Sequence, residues 1–319
     1  MNKRLACAAV VSLVLAAAFL RPRQRTLCEG FLPPNDMKIP VGDFRAKGIQ
    51  EEMFNSVLDR VQAVYGPIVA QHGGELVINR KWDDPTVNAN AQRYGSRWII
   101  NMYGGLARHP AVTPEGFATV ACHELGHHLG GFPKIWGLFG SWASNEGEAD
   151  YFATLKCLRL VLPDQAPADL DPIAREGCAG VFPEGPGRDH CGLGTMASFS
   201  TTALLADISH APRPSLATPD PAVVEKTNND HPAPQCRLDT LFAGALCARQ
   251  VGEELSNGDP GPGACTSPAF SVGLRPLCWY KPPVPAPPAS AFAARPVADV
   301  RTIEARLEGL RRALSGGGI

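Results

Sequence analysis

The sequence has no excess of charge of either sign. Its 319 residues include 30 lysines and arginines against 31 aspartates and glutamates, so the formal net charge is −1. Proteins that bind nucleic acid concentrate basic residues, because their affinity depends on neutralising phosphates. The balance argues against a nucleic-acid partner. No internal repeat is present that would indicate a solenoid.

Cysteine pairs at the Cys-x-x-Cys spacing are also missing, although the chain has ten cysteines. Structural zinc sites built on cysteine usually contain such pairs, so a cysteine-ligated zinc is disfavoured. Cysteines scattered through loop-rich sequence instead predict disulfides and an oxidising compartment. With Cys7 in the N-terminal segment, an odd number remains, which predicts at least one free thiol. We expect that thiol to be Cys122, because it lies within a helix predicted to be buried. The remaining cysteines are Cys28, Cys122, Cys157, Cys178, Cys191, Cys236, Cys247, Cys265 and Cys278.

The first 27 residues have the pattern of a targeting segment. Lys3 and Arg4 precede a charge-free, largely apolar run over residues 5–20, and residues 16–18 are alanines that offer a cleavage site. The run is shorter than the ~20 residues of a typical membrane-spanning helix, which favours a secretory signal. Arginines follow it at once, so an uncleaved anchor stays open as the alternative. We expect an exported protein, periplasmic or secreted, with residues 5–20 as its only possible membrane tether.

Apolar periodicity and turn residues predict helices, strands and loops along residues 28–250. Residues 163–194 and 211–234 have the composition of loops. The predicted helices cover 49–65 (ending near Pro67), Thr113 to Gly130, 145–162 with Ser144 as N-cap, 195–208 and 237–250, and the predicted strands cover 75–79, 86–93 and 97–103.

Three further segments are expected after residue 250. Residues 251–280 form a Cys-rich, loop-rich extension, and residues 281–300 form an extended Pro/Ala linker. Residues 301–319 contain a C-terminal amphipathic helix, because apolar residues recur at helical spacing from Ile303 to Leu314.

The strongest chemical signal is an HExxH motif formed by His123, Glu124 and His127. Histidines four residues apart on a helix share one face and can bind a single Zn²⁺. Glu124, beside the first ligand, is placed to act as a general base toward water. The competing interpretation is a helix with two structural histidines. The helix start and stop signals around the motif, and the strands before it, disfavour that interpretation.

The third metal ligand is predicted on the next helix. The extended metzincin pattern HExxHxxGxxH fails, because Pro133 stands where the third histidine should be. Glu146 and Asp150 are four residues apart and share a helical face. Glu146 is then the third ligand, and Asp150 accepts the free ring N–H of a ligating histidine. Taken alone, the two residues could equally be solvent-exposed acidic side chains in the first turn of a helix, where the helix dipole favours negative charge.

These motifs resemble one family. HExxH followed by Glu146 and an Ala-Asp pair ending at Asp150 is similar to the gluzincins that include the CAAX prenyl proteases, the HtpX-like heat-shock proteases and their soluble periplasmic relatives. A His-Pro pair beginning at His231, with Arg237 six residues after the histidine, adds to the resemblance.

The resemblance implies an α+β fold over residues 28–250: a zincin-like catalytic domain in which a small sheet and two helices hold one Zn²⁺ per chain. It also implies that His231 helps to stabilise the oxyanion and that Arg237 supports the site. Two features depart from the family pattern: the absence of further transmembrane segments and the cysteines from Cys157 to Cys278. Both argue against prenylated substrates.

The predicted function is zinc-dependent hydrolysis of peptide bonds in an unfolded or extended polypeptide. An edge strand would hold the substrate backbone, and either residues 87–90 or residues 98–101 could form it, although the apolar second stretch is more typical of a core strand. The alternative is a zinc-containing holding or quality-control module for exported proteins with little or no cleavage, suggested by the long C-terminal part. The intact Glu124 argues against that alternative, and a purely structural zinc would need a fourth protein ligand.

Overall fold

The computed structural model describes residues 30–135 and 142–282. The predicted signal or anchor segment 1–27, Cys28, nearly all of the linker 281–300 and the C-terminal helix 301–319 lie outside the described residues. Within them the architecture is α+β, as predicted. The elements in chain order are α1 (Glu51–Gln71), β1 (Glu75–Lys81), β2 (Ala89–Tyr94), β3 (Arg97–Tyr103), α2 (Gly104–Ala107), α3 (Pro114–Leu129), α4 (Glu146–Phe152), a π-helical turn (Ala153–Cys157), α5 (Leu158–Val161), α6 (Pro172–Val181), α7 (Pro186–Ser209) and α8 (Pro234–Leu246).

The sheet has three strands in the order β1-β3-β2. The central strand β3 pairs in parallel with β1 and antiparallel with β2. Its side chains Trp98, Ile100 and Met102 alternate onto one face and are buried in the main core, with α1 and α3 on that side. The three strand predictions are confirmed to within a few residues. The stretch 98–101 belongs to the sheet centre, so β2 is the only one of the two suggested segments that lies at an edge.

Helix α1 continues through Pro67 to Gln71, beyond its predicted end at residue 65. A proline inside a helix removes one hydrogen bond to the carbonyl four residues earlier, here that of Ala63. Both residues are exposed, so water can satisfy this carbonyl. Val69 in the following turn is fully buried, and its packing keeps that turn helical.

The prediction of a loop over residues 163–194 was wrong. This stretch contains α6 and the first part of α7, and the helix predicted over 195–208 is the second part of α7. Pro172 and Pro186 occupy the first turns of these helices, where the missing N–H has no intrahelical partner to lose. Prolines that looked like helix breakers therefore mark helix starts.

The predicted helix 145–162 comprises α4, the π-helical turn and α5. Its N-cap is Asn145, whose side chain accepts the N–H of Glu148. Ser144 was the predicted cap, but its hydroxyl donates to the carbonyl of Gly131 instead. The last predicted helix, 237–250, begins three residues earlier and ends at Leu246.

Four disulfides connect the described cysteines: Cys122–Cys157, Cys178–Cys191, Cys236–Cys278 and Cys247–Cys265. The prediction that Cys122 is a free thiol was therefore wrong. Cys122 is buried within α3 as one half of a disulfide, because Cys157 on the π-helical turn packs against the same helix and is also fully buried.

The disulfides indicate an oxidising, exported environment. The last two also fasten the segment after α8 to that helix, since Cys236 lies within α8 and Cys247 follows it directly. None of the helices described for residues 30–135 and 142–282 has the length and apolar character needed to cross a bilayer.

Candidate metal centre

Helix α3 positions the HExxH residues. Thr113 caps its N-terminus by accepting the N–H of Gly116, and Pro114 occupies the first turn, as predicted. His123, Glu124 and His127 are all completely buried. The two histidine rings lie edge to face with 4.8 Å between centroids, so that both project from one face of the helix.

Gly126, inside the motif, allows α4 to approach α3 closely. A Cβ at this position would lie 2.7 Å from the carbonyl oxygen of Ala149 and 2.8 Å from its Cα. Carbon atoms essentially never approach backbone so closely, so only glycine permits this helix–helix distance. The close approach brings the acidic residues of α4 against the histidines of α3.

The ligand atoms of His123, His127 and Glu146 converge. The Nε2 atom of His123 lies 3.2 Å from Oε2 of Glu146, and Nε2 of His127 lies 3.6 Å from Oε1 of the same carboxylate. Ligand atoms that surround a tetrahedral zinc at its usual bond lengths are about 3.3 Å apart. The separations in the structure agree with that value, so this group could hold a metal ion.

Unpartnered atoms support the same conclusion. Both Nε2 atoms and Oε2 of Glu146 are buried and have no hydrogen-bond partner within the described part of the chain. Buried polar atoms without partners are rare, because each costs about 1–3 kcal/mol. A cation bound to all three would remove that cost. The second acidic and cysteine group, Asp220 with Cys236 and Cys278, offers no thiolate, because the two sulfurs form a disulfide.

Each histidine is oriented by its other ring nitrogen. Nδ1 of His123 donates to Oδ1 of Asp150 at 2.8 Å, as predicted for this aspartate. Nδ1 of His127 donates to the carbonyl of Ser144 at 2.8 Å. In a neutral ring with its proton on Nδ1, the lone pair is on Nε2 and points to the other ligand atoms. Without a metal, Asp150 and Glu146 outweigh burial and raise the pKa of His123 to about 9. Burial lowers the pKa of His127 to about 4, which keeps this ring neutral.

Arg237 is brought to the same cluster, on α8. Its guanidinium donates to Oδ2 of Asp150 through Nε at 2.6 Å and to Oδ1 through Nη2 at 2.7 Å. The three residues that these hydrogen bonds connect, His123, Asp150 and Arg237, are fully buried. Burial alone would raise the pKa of Asp150, but Arg237 and His123 hold it below its usual range. The arginine therefore keeps the aspartate ionised behind the ligand His123.

Glu124 has a different environment from Glu146. Burial raises the pKa of Glu124 to about 8, and neither carboxylate oxygen has a hydrogen-bond partner among the described residues. The pKa of Glu146 is lowered, because neighbouring histidines outweigh the effect of burial. One carboxylate of the centre is thus held as an anion, and the other is poised to exchange a proton.

His231 also reaches the centre, from the segment before α8. Its Nε2 lies 3.6 Å from Oε2 of Glu146, and it donates to the carbonyl oxygen of Gly30 at 2.7 Å. The structure therefore brings together all seven residues that the sequence singled out. The side chain of His231 is 15% exposed, whereas those of His123 and His127 are fully buried, so His231 lies at the mouth of the centre.

Several contributors to the centre were not found from sequence. Glu148, between the two predicted acidic residues on α4, is fully buried and paired with Arg275 from the Cys-rich segment. Arg275 also donates to the carbonyls of Pro260 and Phe132. Burial raises the pKa of Glu148, and the arginine beside it opposes that shift. The Cys-rich extension thus fixes α4 through one buried ion pair; no sequence motif marks Arg275.

Strand β2 lies at the sheet edge and packs on α3. The carbonyl oxygen of its first residue, Ala89, faces away from the sheet and accepts the N–H of Phe31.

Comparison with known proteins gave no match: no family model, no curated protein and no solved structure matches this chain. The functional conclusion therefore depends on the geometry of the centre and on the sequence motifs.

Proposed function

We propose that this protein is an exported zinc-dependent endopeptidase of the gluzincin type, periplasmic or secreted, that cleaves unfolded or extended polypeptides. The observation that carries the proposal is the position of Glu124. Its carboxylate has no hydrogen-bond partner among the described residues, is buried, and is adjacent in the helix to a residue of a group suited to a metal. In a structural zinc site, protein ligands fill all four positions, so there is no bound water for a base to deprotonate.

Zinc is the metal proposed, because two imidazoles and one carboxylate are a typical donor set of catalytic zinc, with one position left for water. A bound zinc ion would lower the pKa of its water to near ~7 and polarise the scissile carbonyl. His123, His127 and Glu146 would hold it. Asp150, with Arg237 behind it, would keep Nε2 of His123 directed at the ion.

Glu124 would supply the proton transfers. Its pKa of about 8 is close to neutral pH, where a general base and acid works best. The carboxylate would accept a proton from the attacking water and deliver it to the leaving amine. His231, at the mouth of the centre, would donate its N–H to the oxyanion, as the family resemblance implies. That interaction requires it to release the carbonyl of Gly30.

Substrate would bind as an added strand on β2. An edge strand recognises the backbone of an extended chain through main-chain hydrogen bonds, with little dependence on side chains. This mode suits unfolded polypeptides of varied sequence, which is the substrate class proposed.

The test is cleavage of an unfolded protein by the purified chain. Wild type and Glu124→Gln are compared, each with zinc and with a chelator. We expect cleavage only by zinc-loaded wild type, while Glu124→Gln binds zinc normally. Absence of cleavage by a folded, zinc-loaded wild type would contradict the proposal and favour the holding-module alternative.

A further inference from the structure

Three consecutive residues at the start of α4 each contact a different part of the centre. The carbonyl oxygen of Ser144 accepts the Nδ1 proton of His127 at 2.8 Å. Glu146 belongs to the group that could hold a metal ion. Asn145, between them, is fully buried and has neither of these roles. A buried amide needs hydrogen-bond partners, and those of Asn145 lie on two different segments.

The side chain of Asn145 joins α4 to the segment that leads to His231. Its Oδ1 atom accepts the N–H of Glu148 at 2.9 Å, which caps the helix and settles the orientation of the amide. Its Nδ2 atom donates to the carbonyl oxygen of Asn228 at 3.0 Å and to Oδ1 of Asn229 at 3.2 Å. A helix cap needs only the acceptor. The two donated hydrogen bonds therefore serve the neighbouring segment and not the helix start.

The same segment is held from its other side as well. The N–H of Asn228 donates to the carbonyl oxygen of Trp279 at 2.7 Å. Trp279 is fully buried, and its indole ring packs on Gly147 of α4 so closely that a Cβ there would overlap it. Cys278, the residue before it, is bonded to Cys236 within α8. Asn228 thus lies between α4 and a segment that is covalently fastened to another helix of the centre.

His231 lies just beyond this held segment, so the position of its ring depends on it. Its Nε2 atom lies 3.6 Å from Oε2 of Glu146 and donates to the carbonyl oxygen of Gly30. In the proposed reaction, His231 releases Gly30 in order to donate to the oxyanion. The hydrogen bonds of Asn145 are not used in that step, so they still hold the segment beside α4.

We propose that Asn145 is a positioning residue, which holds the segment of His231 at the distance from Glu146 that the oxyanion contact requires. The catalytic meaning of this inference rests on the proposed peptidase function. A group displaced by about 1 Å from its productive position can lower a rate about 100-fold. Loss of the two donated hydrogen bonds should therefore lower kcat through His231, while the zinc ligands keep their places.

Two substitutions remove the donors and keep the cap. Asn145→Ser retains an oxygen that can accept the N–H of Glu148, but its side chain is too short to reach Asn228. Asn145→Asp retains the size and the cap and lacks the amide N–H groups. From the opposite side, Asn229→Ala removes one acceptor and leaves Asn145 unchanged. The matched control is Asp171→Ala, which removes the N-cap of α6, a helix that supplies no residue to the centre.

The first measurement requires neither zinc nor substrate. Amide hydrogen exchange at Asn228 in the full chain reports how firmly the segment is held, because this N–H donates to Trp279. We expect both Asn145 variants to speed the exchange about tenfold, since lost hydrogen bonds lower local stability. Asn229→Ala should have a smaller effect in the same direction, and Asp171→Ala should have none. Unchanged exchange in both Asn145 variants would overturn the proposal.

The second measurement tests the route through His231. We expect Asn145→Ser to leave zinc affinity and KM unchanged and to lower kcat about 10- to 100-fold. His231→Ala should lower kcat about 10²- to 10³-fold. Adding Asn145→Ser to that variant should cost nothing more, because the group that Asn145 positions is then absent. Losses that multiply in the double variant would show that Asn145 acts by another route and overturn its positioning role.

The outcomes separate the two proposals. Faster exchange at Asn228 together with a loss of kcat that does not add to that of His231→Ala supports both. Cleavage by wild type, with unchanged exchange and kcat in both Asn145 variants, supports the peptidase and overturns the role of Asn145. Faster exchange in the variants, with no cleavage by zinc-loaded wild type, shows that Asn145 holds the segment but contradicts the peptidase and any catalytic role with it.

Discussion

Replacing Gly126 by alanine should separate the two helices of the metal centre. The new Cβ would be 2.7 Å from the carbonyl oxygen of Ala149, whereas ordinary contacts begin at 3.4 Å, so about 0.7 Å must be gained between α3 and α4. Backbone on both sides of the contact leaves no flexible side chain to yield. Metal ligands tolerate displacements of about 0.2 Å, so Glu146 can no longer complete the group.

We expect Gly126→Ala to lower zinc affinity by about 10- to 100-fold. The added methyl group also overpacks the contact, which should lower the free energy of unfolding by about 1–3 kcal/mol. Competition with a chromophoric chelator measures the affinity, and denaturant unfolding measures the stability. The matched control is Gly180→Ala on α6, where a Cβ would meet nothing within 4 Å. That change should leave zinc affinity unaltered and stabilise the helix by up to about 1 kcal/mol. Wild-type zinc affinity in Gly126→Ala would refute the claim that this contact sets the ligand positions.

Three further predictions follow from the contacts of the centre. Glu146→Ala should reduce zinc affinity by more than about 100-fold, and full zinc binding by this variant would show that the third ligand is another residue. Glu124→Gln should retain zinc and lower kcat by about 10²- to 10⁴-fold. Arg237→Met leaves a buried carboxylate without its cation and should destabilise the fold by about 3–5 kcal/mol in denaturant unfolding. Cys122→Ser with Cys157→Ser opens a loop with a sequence separation of 35 residues and should cost about 4 kcal/mol. Titration of the unreduced, unfolded wild type should detect no thiol at either position, and a reactive thiol there would contradict the pairing.

The parts of the structure with local signals could be predicted. Helix α3 has its N-cap, first-turn proline and apolar face within 16 residues, so its bounds and the face that carries His123 and His127 follow from sequence. The strands alternate or form short apolar runs between turns, and these were located as well. Glu146 and Asp150 were found because their spacing of four is itself a local pattern.

The parts of the structure that depend on long-range contacts could not be predicted from the sequence. Phe31 reaches Arg237 across 206 residues of sequence, and Arg275 reaches Glu148 across 127. Neither pair has a fixed spacing to recognise. The wrong prediction for Cys122 has the same cause, because burial was inferred from its helix while its partner lies on the π-helical turn after α4.

The centre is built from segments that are far apart in the described chain. The N-terminal stretch supplies Phe31, α3 and α4 supply the ligand group, α8 supplies Arg237, and the Cys-rich segment supplies Arg275. Two of the disulfides fasten that last segment to α8. We therefore expect reduction of the disulfides to loosen α4 and weaken metal binding together.

The most direct test of the central claim is anomalous scattering at the zinc absorption edge from crystals of the full chain grown with zinc. We predict a single peak per chain, about 2.0–2.2 Å from Nε2 of His123, Nε2 of His127 and a carboxylate oxygen of Glu146. A peak bound by other residues, or a well-ordered centre with no peak at saturating zinc, would contradict the account.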